Sequence, residues 1–164
     1  MLERFEQLLA SEDSATEALA RWCRLRGFAT DPAITAWPVA GGASEAPEDV
    51  RARLEATPDE LLAFRHVKLA CGDVVLSDAR NWYVPGLLPP EMNRRLAAGD
   101  MPFGAVIAPL GFRRERLASL RGPGPGCPVD TILTNRALIR LPNGRPLAFV
   151  VECYTAANLA PAPR

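Results

Sequence analysis

LAFVVECYT, residues 147–155, decides how this chain is read. Leu147 to Val151 is an apolar run of strand character, Glu152 interrupts it, and Cys153 and Tyr154 resume it. An ionised carboxylate without partners in such a place costs several kcal/mol. Glu152 is therefore paired, protonated or bound to something. The rest of the fold follows outward from this strand. TILTNRALIRL precedes it across the PNG turn, and Asn143-Gly144 is a strong hairpin signal. FRHVKLA and VVLSDARNWYVP form a second hairpin across the turn at 71–73, with Arg65, Val67 and Leu69 on one side of the first strand.

The flanking segments read as helices and loops. Leu2, Phe5, Leu8 and Leu9 recur at helical spacing. Ser14 and Glu17 make a capping box for a second helix that Gly27 stops. Residues 38–49 read as a surface loop and RARLEA, from Arg51, as a short helical piece. PPEMNRRLAAG opens with prolines and closes on Gly99, as a helix does. DMPFGAVIAPL is expected to be a turn leading into an apolar stretch. FRRERLASLRG is expected to be a short amphipathic helix closed by Gly122, and GPGPGCP a loop. The sum is an α+β chain with one antiparallel sheet of about five or six strands. It is expected to be one domain over 1–164: a helical part at 1–60, sheet and flaps at 61–157, and a loose tail at 158–164.

Composition narrows the function classes. The chain has 164 residues, 48% hydrophobic and 23% charged, with zero formal net charge. No basic excess is present to neutralise phosphates, so nucleic acid is not an expected partner. The N-terminus lacks a signal peptide's apolar core, and no stretch approaches the roughly 20 apolar residues of a membrane span. A cytoplasmic protein without membrane insertion is expected. Cys23, Cys71, Cys127 and Cys153 form no CxxC pair, so neither a metal site nor a disulfide framework is expected. His66 is the single histidine, and nothing near it supports a Ser-His-Asp triad. GPGPG lacks the Lys-Ser or Lys-Thr of a phosphate loop and reads as a linker. Trp82 and Tyr83 read as core or rim packing.

Three features carry chemistry: Glu152, Arg65, and MPFG at 101–104, where the backbone can aim N–H groups at an anion. Arg65 and Glu152 could form a buried salt bridge between strands, and Phe103 could simply fill the core. In the sharper reading a buried cation, a backbone donor and a carboxylate line one pocket. That pocket suits a small organic acid carrying a hydroxyl.

Several stretches, in order, resemble the chorismate pyruvate-lyase family. LLASEDSATEAL resembles its N-terminal helix entry, and FRHVKL the strand of its substrate-binding arginine, which falls on Arg65. GDMPFGAVI resembles its Thr-Pro-Leu-Gly segment, whose ligand-binding backbone position falls on Phe103. RPLAFVVECYTAANL resembles its closing strand, whose catalytic glutamate falls on Glu152. The family's second arginine falls on Asn81 when counted back from Pro85, with Arg80 one residue further. A one-residue slip points a side chain to the other face, and only a bulge would return Arg80 to the pocket.

The resemblance implies an antiparallel sheet with helices packed on one face and flaps over a buried site. It implies a lyase that needs no cofactor or metal and converts chorismate to 4-hydroxybenzoate and pyruvate, as in ubiquinone biosynthesis. Glu152 and Arg65 would be catalytic, and Arg65, Phe103, Glu152 and Arg80 (or Asn81) would bind substrate. The partner would be chorismate or a similar cyclic carboxylic acid, met by a monomer or weak dimer. The same fold resembles the UTRA-like effector-binding domain of bacterial transcription regulators, which senses small molecules without chemistry. A domain binding an aromatic or cyclic acid, or a lyase on a related enol ether, is the alternative.

Overall fold

A computed structural model describes residues 1–41, 46–47 and 49–164; part of the loop expected at 38–49 lies outside these. The strand of the opening stretch, β6 (Pro146–Tyr154), is buried at every position. It sits inside a six-stranded antiparallel sheet of order β1-β2-β3-β6-β5-β4. The others are β1 (Ile34–Pro38), β2 (Ala63–Cys71), β3 (Val74–Tyr83), β4 (Arg113–Arg121) and β5 (Leu133–Arg140). Both expected hairpins are present, β2–β3 and β5–β6, and β3 pairs with β6 to join them.

Alternation sorts the side chains into two faces. Register places Arg65, Asn81 and Val150 in one cross-strand row, and Val67, Ala79, Glu152 and Asn135 in the next. Two separate apolar clusters cover this face. At one end α1 (Leu2–Ala10) and α2 (Ala15–Arg26) bring Phe5, Leu9, Leu19 and Trp22 onto Val67, Leu69 and Tyr154. At the other end α4 (Pro90–Ala98) and α5 (Phe103–Ile107) bring Leu96, Val106 and Ile107 onto Tyr83, Ile139 and Val150. The opposite face is closed by α3 (Val50–Arg53), whose Val50, with the adjacent Leu54, packs on Trp82, Phe149 and Val151. This double cover explains why β6 reads as a continuous apolar run.

The helix signals translate directly. Ser14 caps α2 by accepting the Glu17 backbone N–H at 3.2 Å, and Gly27 ends it with φ of +64°. Residues 113–121 depart from expectation: they are the edge strand β4, paired with β5, and not an amphipathic helix. Most of β4 is exposed, so no one-sided burial imposes a period of two on its sequence. A bulge between Arg116 and Ala118 interrupts the alternation further. The edge strand β1 gave no strand signal that the sequence reading recognised.

The cysteines also depart from expectation. Cys23 of α2 is disulfide-bonded to Cys71 of β2, with Cα atoms 6.1 Å apart, and Cys127 to Cys153 of β6, at 5.6 Å. Sequence spacing reports only local cysteine motifs; these pairs, 48 and 26 residues apart, are brought together by tertiary packing. Among the described residues no helix is long and apolar enough to cross a membrane.

Candidate functional site

A cavity lies between the two clusters on the helix-covered face. About 60 Å³ of it is open to the centres of water-sized molecules, several times the ~10–15 Å³ that one water needs. Its walls are mostly apolar: Val67 and Leu69 from β2, Ile107 from α5, Phe112, Ile139 and Val150. The polar groups converge from five elements. Arg65, Phe103, Asn81 and Glu152, all singled out from the sequence, line this one space.

Arg65 is 7% exposed, yet among the described residues no carboxylate forms an ion pair with it. One guanidinium nitrogen, Nη2, donates to the Met101 carbonyl at 2.6 Å. The other, Nη1, is buried with no partner among the described residues. Burial pulls the guanidinium pKa below its ordinary value, and Tyr83 and Asp100 oppose this only in part. Asn81 stands directly across from Arg65 in the β2–β3 register, and its Nδ2 is likewise buried and unpartnered. Arg80 faces the other side of the sheet, where it donates to the Gly126 carbonyl. The irregularity in this hairpin lies between Leu69 and Ala70, too far away to turn Arg80 around.

Two helix starts border the cavity. α2 presents its first turn beside Ser14, with the N–H groups and positive dipole end of any helix start. α5 begins at Phe103, whose ring packs on Tyr83 with centroids 5.3 Å apart. The two starts meet at Gly104, where a Cβ would lie 3.0 Å from Thr16 Oγ1 and 3.1 Å from Ser14 Oγ. Any side chain there would press directly on the α2 cap.

The far end is built around Glu152. Arg65 and Glu152 are two strands and two residues apart, about 12 Å between Cα atoms from ordinary sheet spacings. They are not bonded to each other. Glu152 Oε2 accepts from Arg114 of β4 and, at 2.8 Å, from the Tyr154 hydroxyl. The Arg114 and Glu152 side chains are 4% and 7% exposed. Burial works against the Arg114 charge, but Glu152 and Tyr154 beside it outweigh that and raise its pKa. Burial, then the Glu152 carboxylate, push the Tyr154 phenol well above its ordinary value. Arg114 Nε remains buried without a partner. The sequence reading missed Arg114 because it lay in the stretch read as a helix; read as a strand, alternation sets Arg114 on the Arg65 face. No group of three or more His, Cys, Asp or Glu suited to a metal occurs among the described residues.

No family model matches this chain. It is 36% identical over 174 residues to the "Uncharacterized protein y4mC" of Sinorhizobium fredii (strain NBRC 101917 / NGR234), covering 94% of this chain and 73% of that protein. The chain belongs to the y4mC family. Solved structures share the fold of this y4mC relative at low identity. The effector domain of PhnF from Mycobacterium smegmatis superposes with a TM-score of 0.62 at 14% identity, over 88% of this chain and 89% of that domain. PhnF itself gives 0.63 at 14% identity over 90% of this chain, which spans 65% of PhnF's length. A GntR-family transcriptional regulator from Enterococcus faecalis V583 gives 0.51 at 11% identity, over 79% and 99% of the two chains.

These neighbours overturn one expectation. Transcription-regulator domains, one of them an effector domain, carry the fold, so the assignment as a cofactor-independent carbon–oxygen lyase falls. The site geometry gives a physical reason: Oε2 of Glu152 is already engaged by Arg114 and Tyr154. The α+β antiparallel architecture expected from the sequence stands.

Proposed function

We propose that this chain is a small-molecule-binding domain of the effector type, whose cavity takes a small aromatic or cyclic carboxylic acid. One observation carries the reading: Arg65, buried in an apolar cavity, keeps a guanidinium N–H without a partner. An unmet charged donor in such a place costs free energy in the empty protein, and a ligand oxygen would recover it. The carboxylate sits against Arg65 Nη1 and Asn81 Nδ2. The Phe103 N–H adds a further donor, and Val67, Leu69, Ile107 and Val150 hold the carbon skeleton. Glu152 lies at the other end as a fixed polar contact. The effector domain of PhnF supports the reading through its shared architecture.

The test is thermal shift followed by titration calorimetry, with benzoate, cyclohexanecarboxylate and hydroxybenzoates against their neutral amides. An acid at a hundred times its Kd stabilises the protein by about 2.7 kcal/mol. The acids bind, their amides bind at least about tenfold more weakly, and Arg65→Met abolishes the difference. Equal binding of acid and amide, or full acid binding by Arg65→Met, refutes the reading.

A further inference from the structure

If the cavity is a carboxylate site, its far end has a charge requirement that follows from the groups buried around it. Three ionic side chains lie in the cavity wall with at most a few per cent of their surface exposed: Arg65, Arg114 and Glu152. Two cations and one anion leave one positive charge among the buried side chains of the wall. Asp13 lies at the rim, exposed; it accepts the Arg114 backbone N–H at 3.3 Å and adds a weaker electrostatic pull on the Arg114 charge than Glu152 does.

Arg114 is the informative member. Its charge is spent on Glu152, so it has little attraction left for a second carboxylate. Its Nε–H is still buried and unmet, so a group that accepts a hydrogen bond is wanted there. A second negative charge at this end would face the Glu152 carboxylate in a low-dielectric setting, where like charges repel strongly. An apolar end would leave the Nε–H unsatisfied.

We infer that the Arg114–Glu152 pair sets the ligand's charge: one carboxylate at the Arg65 end and an uncharged acceptor, a carbonyl, ether or hydroxyl oxygen, at the Arg114 end. The inference rests on the reading of the cavity as an acid-binding site and makes Arg114 a specificity-determining residue. Removing the Glu152 charge frees Arg114 as a second full cation, so the preference moves toward dianions.

Calorimetry at neutral pH with three probes that share one carboxylate end tests this: 4-carbamoylbenzoate, terephthalate and 4-methylbenzoate, with succinamate, succinate and butanoate as a shorter series. The wild-type protein binds the half-amide of each series about tenfold more tightly than the dicarboxylate, and more tightly than the methyl-ended acid. In Glu152→Gln, which retains an acceptor for Tyr154, the ratio of dicarboxylate to half-amide affinity rises at least about tenfold. In Arg114→Met the advantage of the half-amide over the methyl-ended acid disappears. If Arg114→Met does not fold, the Glu152→Gln ratio decides alone. A wild-type preference for the dicarboxylate, or an unchanged ratio in Glu152→Gln, overturns the charge assignment and leaves the acid-binding reading standing. Failure of every acid in both panels overturns both.

Discussion

Arg65→Met separates a residue held for a ligand from one held for the fold. Methionine fills much of the arginine stem's volume and carries no charge. The substitution removes one charge-assisted hydrogen bond, to the Met101 carbonyl, worth about 1.5–3 kcal/mol. It also removes a buried, unmet N–H, which costs the native state about 1–3 kcal/mol. The desolvation that depresses the guanidinium pKa disappears too. These opposing contributions nearly cancel, so the ligand-free variant lies within about 1.5 kcal/mol of wild type. Truncating one partner of a buried structural ion pair instead costs about 3–5 kcal/mol. For a chain of this size 1 kcal/mol moves Tm by about 2–4 °C, so the two cases are well resolved. Urea unfolding reads the difference as a change in midpoint at constant m-value. A loss of 3 kcal/mol or more would show that Arg65 is structural and refute its assignment to a ligand.

Arg114→Met strands the Glu152 carboxylate in the cavity and costs about 3–5 kcal/mol, whereas the double variant Arg114→Met/Glu152→Gln recovers most of it; a double-mutant cycle from urea midpoints measures the coupling. Tyr83 and Tyr154, the two tyrosines of the chain, both have pKa values raised above 10.0, chiefly by burial. The unfolded chain therefore ionises them first: their contribution is intact below about pH 10, and stability then falls by up to about 1.4 kcal/mol per pH unit for each phenol until the folded pKa is reached. Phenolate absorbance of the folded protein rises later than that of the urea-unfolded protein, and Tyr154→Phe removes its share of the alkaline slope. The protein denatured without reductant shows no free thiol, because both cysteine pairs are closed. Loop-entropy arithmetic for closures of 48 and 26 residues gives upper values of about 4 and about 3.5 kcal/mol lost on reduction, read as a fall in urea midpoint.

Legibility followed burial. β6 and β5 were readable because both faces of β6 are covered and Asn143-Gly144 forces the turn between them. α2 was readable because Ser14 and Gly27 mark its ends with conformations that other residues disfavour. β4 was not, because its sequence meets the core at few positions and its pairing with β5 is a tertiary fact. The pocket was legible in part. Arg65 and Glu152 announce themselves as charges within apolar strands, but which partner each has depends on sheet curvature and on β4. The disulfides were invisible for the same reason, since 48 residues of chain carry no imprint of the contact that closes them.

The misreading of β4 hid the partner of Glu152. With residues 113–121 taken as a helix, the one cation the strands offer Glu152 is Arg65. With β4 in place, Arg114 enters the cavity from the sheet edge and bonds Glu152, and Tyr154 closes on the same oxygen. Arg65 is left with an unmet N–H and no ion pair among the described residues. With β4 in place the cavity wall is asymmetric, ion-paired at the Glu152 end and cationic at the Arg65 end. On the acid-binding reading that asymmetry would give a bound acid a fixed direction in the cavity. A fixed direction would make the ligand's far end bear on Arg114 and hence on β4, the edge strand that also meets α1 through the exposed Arg121–Glu6 pair. A ligand that alters the Arg114–Glu152 contact would reach α1 by that route, and Arg121→Ala would cut the route without touching the cavity. In the wild type, ligand binding slows amide exchange in both β4 and α1. In Arg121→Ala the protection persists in β4 and is lost from α1, with ligand affinity unchanged. Equal protection of α1 in the two proteins would show that the signal does not run along β4.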